Sequence, residues 1–248
     1  MTDDLPPPRS DGTIAYRAVV TGATGAVGSA LVAELLASPR CNGVTALVRR
    51  DSSNLKLLPG AREKLVVSLV ETHRLESETS AALSFSPPHR VAFCTLGVGQ
   101  PRKVSREEHR RVDVDYVVAF ARACRSAGIQ HFSLLTSVGA DAHSRSHYLR
   151  VKGDVEQAVR ELGFPRTSFF RPSLLVTREL RYGLQDRITQ ATFPLISRFL
   201  PARFHEIRVE DVARAMRLDA ERDAPYGVRV LEYPEMMETV RRSNGLTG

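Results

Sequence analysis

The chain has 248 residues, 42% of them hydrophobic and 25% charged, which suits one globular α/β-sized domain with a sizeable core. Its formal net charge of +7 is carried almost wholly by arginine, since only Lys56, Lys64, Lys103 and Lys152 are lysines; the basic residues are scattered, which argues against a nucleic-acid surface. No apolar run approaches the roughly 18 residues of a membrane span, and the cysteines (Cys41, Cys94 and Cys124) are odd in number and form no CxxC, so free thiols in a reducing compartment are expected, with cytoplasm as the address.

The first residues, MTDDLPPPRSDG, are polar and proline-rich, and residues 1–14 are expected to be a disordered lead-in without a secretory signal. A first strand is expected over 17–21. The stretch Thr21–Gly28, TGATGAVG, comes next and opens a helix over 26–37. Glycines at 22, 25 and 28 allow a tight turn and close ligand approach, and the helix start offers free N–H groups to an anion. Strand, glycine turn and helix in that order predict a dinucleotide pyrophosphate site. Further strands are expected over 43–48, 64–67, 90–96, 131–137, 168–172 and 228–231. Helices are expected over 79–85, 105–127, 148–162, 209–220 and 235–241. In the 105–127 helix Val112, Tyr116, Ala119, Phe120 and Ala123 form an apolar stripe, and Gly128 ends it. The basic group Arg102, Lys103, Arg106, Arg110 and Arg111 is broken by Glu107 and Glu108 and reads as a solvated helix face. Residues 173–205 show no strand repeat. Within them Phe193 to Pro201 reads as a buried helix, with a substrate lid or a surface that meets a partner or membrane as the alternative, and Asp211 reads as a helix cap. The alternation predicts an α/β fold, a doubly wound and mostly parallel sheet. Gly22, Arg49, Gly97, Ser137 and Arg171 all fall at carboxyl ends of strands, where such sheets bind ligands.

Tyr148 and Lys152 stand one helical turn apart in YLRVK and share a face. A free tyrosine is too weak an acid for proton traffic near neutrality. A lysine ammonium beside it favours the phenolate, which can then exchange a proton with a carbonyl or alcohol oxygen. Ser137, with Thr136 as fallback, ends the preceding strand and is placed to hydrogen-bond the same oxygen. Arg49 and Arg50 come directly after the second strand, where a carboxylate would select a ribose hydroxyl. Guanidinium groups there suit a 2′-phosphate, so NADP(H) is favoured over NAD(H), with Asp51 one residue too late to reverse the choice. His143 and His147 are four apart but have no third ligand, and no metal site is expected.

The segments TGATGAVG, LVRR, FCTLG, VDVDYV, HFSLLTSVGAD, YLRVKGDVE and FRPSLL occur in this order over about residues 17–176. In that order the chain resembles an atypical short-chain dehydrogenase/reductase, an NAD(P)-binding Rossmann family, and within it the TIP30 type. The resemblance implies one Rossmann domain over 15–248 in which residues 173–248 supply a small substrate-binding lobe. It implies cofactor contacts from Gly22, Thr24, Gly25, Ala26, Val27, Gly28, Arg49, Arg50, Leu96, Gly97, Tyr148, Lys152, Arg171 and Pro172. Tyr148 would be the acid–base, Lys152 would hold the nicotinamide ribose and Ser137 would position the carbonyl. Many relatives carry an aspartate after the third strand, where this chain reads Val67-Ser68-Leu69. The expected function is an NADP(H)-dependent oxidoreductase acting on a small carbonyl or alcohol. The alternative is an NADPH-binding regulatory or scaffold protein with a protein partner. A homodimer through the apolar helices is left open.

Overall fold

The computed structural model describes residues 15–84, 90–176 and 201–245. The expected lead-in over 1–14 and the Phe193–Leu200 part of the apolar segment lie outside the described residues.

Seven strands form one sheet in the order β3-β2-β1-β4-β5-β6-β9, every pairing parallel. They are β1 (Tyr16–Thr21), β2 (Cys41–Val48), β3 (Leu65–Leu69), β4 (Val91–Cys94), β5 (His131–Leu135), β6 (Arg166–Phe170) and β9 (Gly227–Leu231). A second, two-stranded parallel sheet pairs β7 (Leu175–Val176) with β8 (Ile207–Arg208). Strands of two residues carry no periodicity, so nothing in the sequence pattern marks them. The strand order reverses between β1 and β4, and a crevice opens there at the carboxyl edge.

The sheet is covered on both faces because successive strand residues point to opposite sides. Ala18 and Val20 enter one core with α1 (Ala26–Ala37), α8 (Val209–Glu221) and α9 (Tyr233–Gly245). Two single-turn helices, α2 (Ser53–Lys56) and α3 (Ala61–Lys64), link β2 to β3 and add Leu55 and Ala61 to that core. Val19, Ala92 and Cys94 enter the other, with α4 (Leu75–Ser84), α6 (Tyr116–Ser126) and α7 (His147–Glu161). Phe93 and Phe170 face the first core and Phe120, Phe132 and Phe169 the second, all completely buried. Each contributes about 1.5–3 kcal/mol by leaving water. All three cysteines are buried free thiols, and Cys94 packs in the core as expected.

Two local expectations are corrected. The 105–127 helix is α5 (Arg106–Arg110), a π-helical turn (Arg111–Asp115) and α6 in succession. A π turn takes an extra residue and rotates the helix beyond it. Phe120 and Ala123 of the expected stripe are buried, but the rest of the buried face is Asp113, Val114, Val117, Ala121 and Cys124, while Val112, Tyr116 and Ala119 are only partly covered. Asp211 does not cap its helix. The cap is Arg208 and Asp211 lies in the first turn, where a negative charge suits the helix dipole. Gly128 and Gly163 do end their helices, with φ of +77° and +64°.

Toward the β9 edge of the sheet Asp219 of α8 is fully buried against β5, β6 and β9. It accepts from Ser168 Oγ (2.7 Å) and pairs with Arg166 (3.0 Å) and Arg229 (2.7 Å). Since Ser168 donates to Asp219, its oxygen accepts from His131 Nε2 at 2.9 Å, and His131 is neutral. Burial first, and Arg166 next, push His131 down from 6.5 to about 3. Burial pushes Asp219 up, but Arg166, His131, Ser168 and Arg229 together hold it below its ordinary value. From pH 6.5 down to about 3 the unfolded chain takes up a proton at His131 that the native state refuses. That stability is complete above the window and is lost through it. Asp219 adds a loss of the same sign at lower pH, as its carboxylate is protonated. Urea midpoints measured between pH 7 and 4.5 should fall, and His131→Gln should make the slope shallower by about 1.4 kcal/mol per pH unit.

Candidate functional site

The site is built on the carboxyl edge, at the crevice between β1 and β4. Gly22 leaves β1 with φ +79°, and a Cβ there would stand 2.5 Å from the Thr95 carbonyl carbon. Thr95 holds the two strand ends together, its amide (3.0 Å) and hydroxyl (3.1 Å) both donating to Thr21 O. A Cβ on Gly28 would stand 2.1 Å from Gly22 O, so the third glycine lets α1 press onto the turn. Thr24 and Gly25 are exposed at its tip. The first intrahelical bond of α1 runs from Ser29 N–H to Gly25 O, which leaves the amides of Ala26, Val27 and Gly28 without helical partners. The first turn of α1 has no acidic residue and its cap no side-chain hydrogen bond. The cradle thus presents backbone donors and the positive end of a 12-residue helix, and it fits a dinucleotide pyrophosphate.

Arg49 and Arg50 stand exposed beyond β2. Asp51 is engaged elsewhere, with Lys56 at 2.8 Å. The third strand runs on to Leu69, so Ser68 is paired inside it opposite Leu47 and does not end it. Val70 and exposed Glu71 come after it.

On the other side of the crevice, α7 carries Tyr148, Lys152 and Glu156 at four-residue spacing on one face. Lys152 is buried, and its ammonium donates to Asp113 Oδ1 at 2.6 Å. The Val98 amide donates to Asp113 Oδ2 at 2.8 Å. Burial alone would lower Lys152; Asp113, with Tyr148 and Cys94 adding to it, more than offsets that and holds the ammonium above its ordinary value. A Cβ on Gly97 would stand 3.3 Å from Asp113 Oδ1 and 3.5 Å from Lys152 Nζ, so α7, the π turn and the end of β4 meet here. The Lys152 ammonium lies 5.9 Å from the Tyr148 ring centroid. Tyr148 is half-buried.

Ser137 lies just past β5 on a loop pinned in two places. The Val138 amide donates to Pro172 O (2.9 Å), and the Asp141 amide donates to Leu149 O (3.1 Å). Gly153 makes the second contact possible, because a Cβ there would stand 2.0 Å from the Ala142 nitrogen. Ser137 is half-buried, and its Oγ makes a long 3.4 Å contact to Val138 O. Thr136, the fallback, is committed elsewhere: it is buried and donates to Glu156 Oε1 at 2.8 Å. Glu156 also receives Arg171 as a fork, Nε at 2.8 Å and a terminal nitrogen at 2.6 Å. The guanidinium of Arg171 therefore locks the end of β6 to α7, and Pro172 beside it in sequence is buried.

Sequence reasoning missed Asp113, Glu156, Gly153 and His109. The signal for Glu156 was available in the spacing from Tyr148 through Lys152. His143 is exposed and His147 half-buried, and no cluster able to hold a metal occurs among the described residues. Of the basic group, Arg110 pairs with Asp154 (2.6 Å) and Arg111 with Glu108, as a solvated face should. A cleft of about 490 Å³ opens near the second sheet, lined by Val176, Glu206, Arg208, Asp211, Tyr233 and Met237 among others. Ser137, Tyr148 and Lys152 do not line it.

A family model described as NAD(P)H-binding matches residues 22–216. The protein named HTATIP2 of Rattus norvegicus is 37% identical over 157 residues, which are 63% of this chain and 62% of the rat protein. A protein named fmp52, mitochondrial, of Emericella nidulans is 33% identical over 154 residues, 62% of this chain and 64% of the fungal one. The matched segments thus span less than two-thirds of either relative. Among solved structures, vestitone reductase from alfalfa (Medicago sativa) superposes with a TM-score of 0.64 at 24% identity, covering 92% of this chain and 82% of that one. At that identity the likeness shows the fold alone.

Glu156 is buried and Arg171 partly so, and their bidentate pair should be costly to break from the carboxylate side. Glu156→Ala is expected to lose about 3–5 kcal/mol of unfolding free energy. Replacing both partners by methionine should cost clearly less than the two single changes summed, as a double-mutant cycle in urea would show.

Proposed function

The chain belongs to the NAD(P)H-binding family, as an atypical short-chain dehydrogenase/reductase of the TIP30 type, and we propose that it is an NADP(H)-dependent oxidoreductase acting on a small carbonyl or alcohol. The fold and the family are those of NAD(P)-dependent oxidoreductases. The observation that carries the reading is the junction at Gly97. There the Lys152 ammonium, one turn from Tyr148, reaches the same crevice as the glycine cradle.

A bound nicotinamide would supply or accept the hydride. The protein's part is to bind, orient and move one proton. Gly22, Thr24, Gly25 and the free amides of Ala26, Val27 and Gly28 hold the pyrophosphate. Leu96, Gly97, Arg171 and Pro172 flank the nicotinamide end, and Arg49 and Arg50 offer charge-assisted hydrogen bonds to a 2′-phosphate. Ser137 Oγ donates to the substrate oxygen. Tyr148 Oη gives that oxygen its proton in reduction and removes it in oxidation. Lys152, kept charged by Asp113, stabilises the phenolate side of that exchange and holds the ribose. Of the residues expected to form a substrate lobe, those of the second sheet, Leu175–Val176 and Ile207–Arg208, are the described ones placed to shape the pocket, whereas β9, α8 and α9 belong to the main sheet and its core. Three buried free thiols favour a reducing compartment and hence the cytoplasm. The mitochondrial name of the Emericella relative makes an organelle surface the alternative address. No helix among the described residues is long and apolar enough to cross a membrane.

Titration with NADPH and NADH, followed by nucleotide fluorescence, tests the cofactor reading. NADPH should bind more tightly, and Arg49→Glu should weaken it at least about tenfold, roughly 1.4 kcal/mol, while leaving NADH almost unchanged. Binding of neither nucleotide would overturn the reading. In a carbonyl screen Tyr148→Phe should retain NADPH affinity and lose turnover. Tight NADPH binding by the wild type with no turnover of any carbonyl or alcohol would leave the NADPH-binding scaffold as the function, and turnover that survives in Tyr148→Phe would remove Tyr148 as the acid–base.

A further inference from the structure

His109 lies on α5, one turn before Asp113, and the proposed chemistry makes no use of it. It is 2% exposed, and its Nε2 is buried without a hydrogen-bond partner. An unpaired buried nitrogen costs about 1–3 kcal/mol, which an unselected core position would shed. Its surroundings are the site itself. The imidazole stacks on the Tyr148 ring, centroids 5.8 Å apart and planes 12° from parallel. The edge of His147, whose Nε2 is also buried and unpaired, meets it at 5.4 Å. His109 Nε2 stands 3.8 Å from Asp113 Oδ1, the same oxygen that takes Lys152 at 2.6 Å.

We propose that His109 is a positioning residue for the Tyr148–Lys152–Asp113 set: neutral, it holds the Tyr148 ring by stacking; protonated, it competes with Lys152 for Asp113 Oδ1. The inference rests on the oxidoreductase reading for its catalytic meaning, but its geometry stands without a cofactor. A neutral imidazole at 3.8 Å is too far to bond Asp113. An imidazolium is drawn to the carboxylate, and a charge-assisted bond would need it to move in by roughly 1 Å. Asp113 Oδ2 is already held by the Val98 amide, so the new bond falls on Oδ1 and weakens the grip on Lys152. The same movement draws the imidazole off the tyrosine ring. The groups facing His109 are Asp113 from the π turn and His147, Tyr148 and Lys152 from α7. Burial lowers His109 below its ordinary value, Asp113 opposes that, and Lys152 and His147 add to it. The neutral form is therefore the working form at neutral pH, and the switch falls on the acid side.

Tyrosine labelled with 13C at Cζ provides a readout that needs neither substrate nor nucleotide. The Tyr148 resonance is assigned by its absence in Tyr148→Phe and followed from pH 8 to 5 in the full chain. Wild type should show an inflection on the acid side that coincides with the His109 imidazole titration. His109→Phe keeps a ring against Tyr148 but carries no proton, so it should keep the neutral-pH shift and lose the inflection. His109→Ala should displace the neutral-pH shift itself. A flat wild-type profile, or an inflection that survives in His109→Phe, would overturn the proposal. If His109→Ala does not fold, the wild-type and phenylalanine profiles still decide it. Failure of the oxidoreductase reading would appear separately, as loss of NADPH binding with these profiles intact.

Discussion

The buried ion pair between Lys152 and Asp113 is the contact on which the rest of the site depends. Burying an ammonium and a carboxylate costs several kcal/mol each, and their attraction repays this only when both are well hydrogen-bonded. Here the carboxylate is bonded on both oxygens, by Lys152 and by the Val98 amide. The pair therefore fixes three elements at once: α7, the helix that carries Asp113 and the segment leaving β4. With those three fixed, Tyr148 is confined to one side of the crevice and the glycine cradle to the other.

Buried carboxylates recur as fasteners. Asp113, Glu156 and Asp219 each lie in the interior, and each ties a helix to strands or to a strand-end segment through cations or backbone donors. Two of the three are satisfied by arginine, whose planar fork makes two bonds at once and cannot lose its proton. Three of the arginines thus have a structural duty: Arg166 and Arg229 are counterions to Asp219, and Arg171 is the counterion to Glu156. The exposed Arg49 and Arg50 have no such duty.

Much of the fold was legible because its signals are local and redundant. The strand–glycine–helix order over 17–37 needs φ +79° at Gly22 and close contact at Gly28, and few residue types allow either. The alternation of strands and helices pointed to the doubly wound sheet, and Tyr148 and Lys152 were found by their spacing. What sequence did not disclose depends on contacts between distant segments. Asp113 was visible inside VDVDYV, but that it meets Lys152 across 39 residues is set by packing alone. Gly153 looked like an ordinary helix glycine, and only the loop at Asp141 and Ala142 shows why no side chain fits. His109 was hidden in a charged stretch, REEHRR, where a buried ring was least expected. Along the irregular 105–127 segment the apolar stripe was read correctly at Phe120 and Ala123 and wrongly at Val112, Tyr116 and Ala119, because the buried face also takes in a carboxylate, Asp113, which a search for apolar residues passes over.

That irregular segment has a consequence for how the chain tolerates change in length. The π turn at Arg111–Asp115 holds one residue more than a regular helix needs, so it looks like the place where a deletion would be forgiven. Removing a residue there would restore a uniform ladder of backbone bonds and lengthen the regular helix. It would also turn everything on one side by about 100° relative to the other. Asp113 would leave Lys152, or Val117, Phe120 and Cys124 would leave the core. The helix itself would be more ideal and the protein less able to assemble its crevice, so the irregularity is a dimension of the site measured in residues, as firmly specified as any side chain.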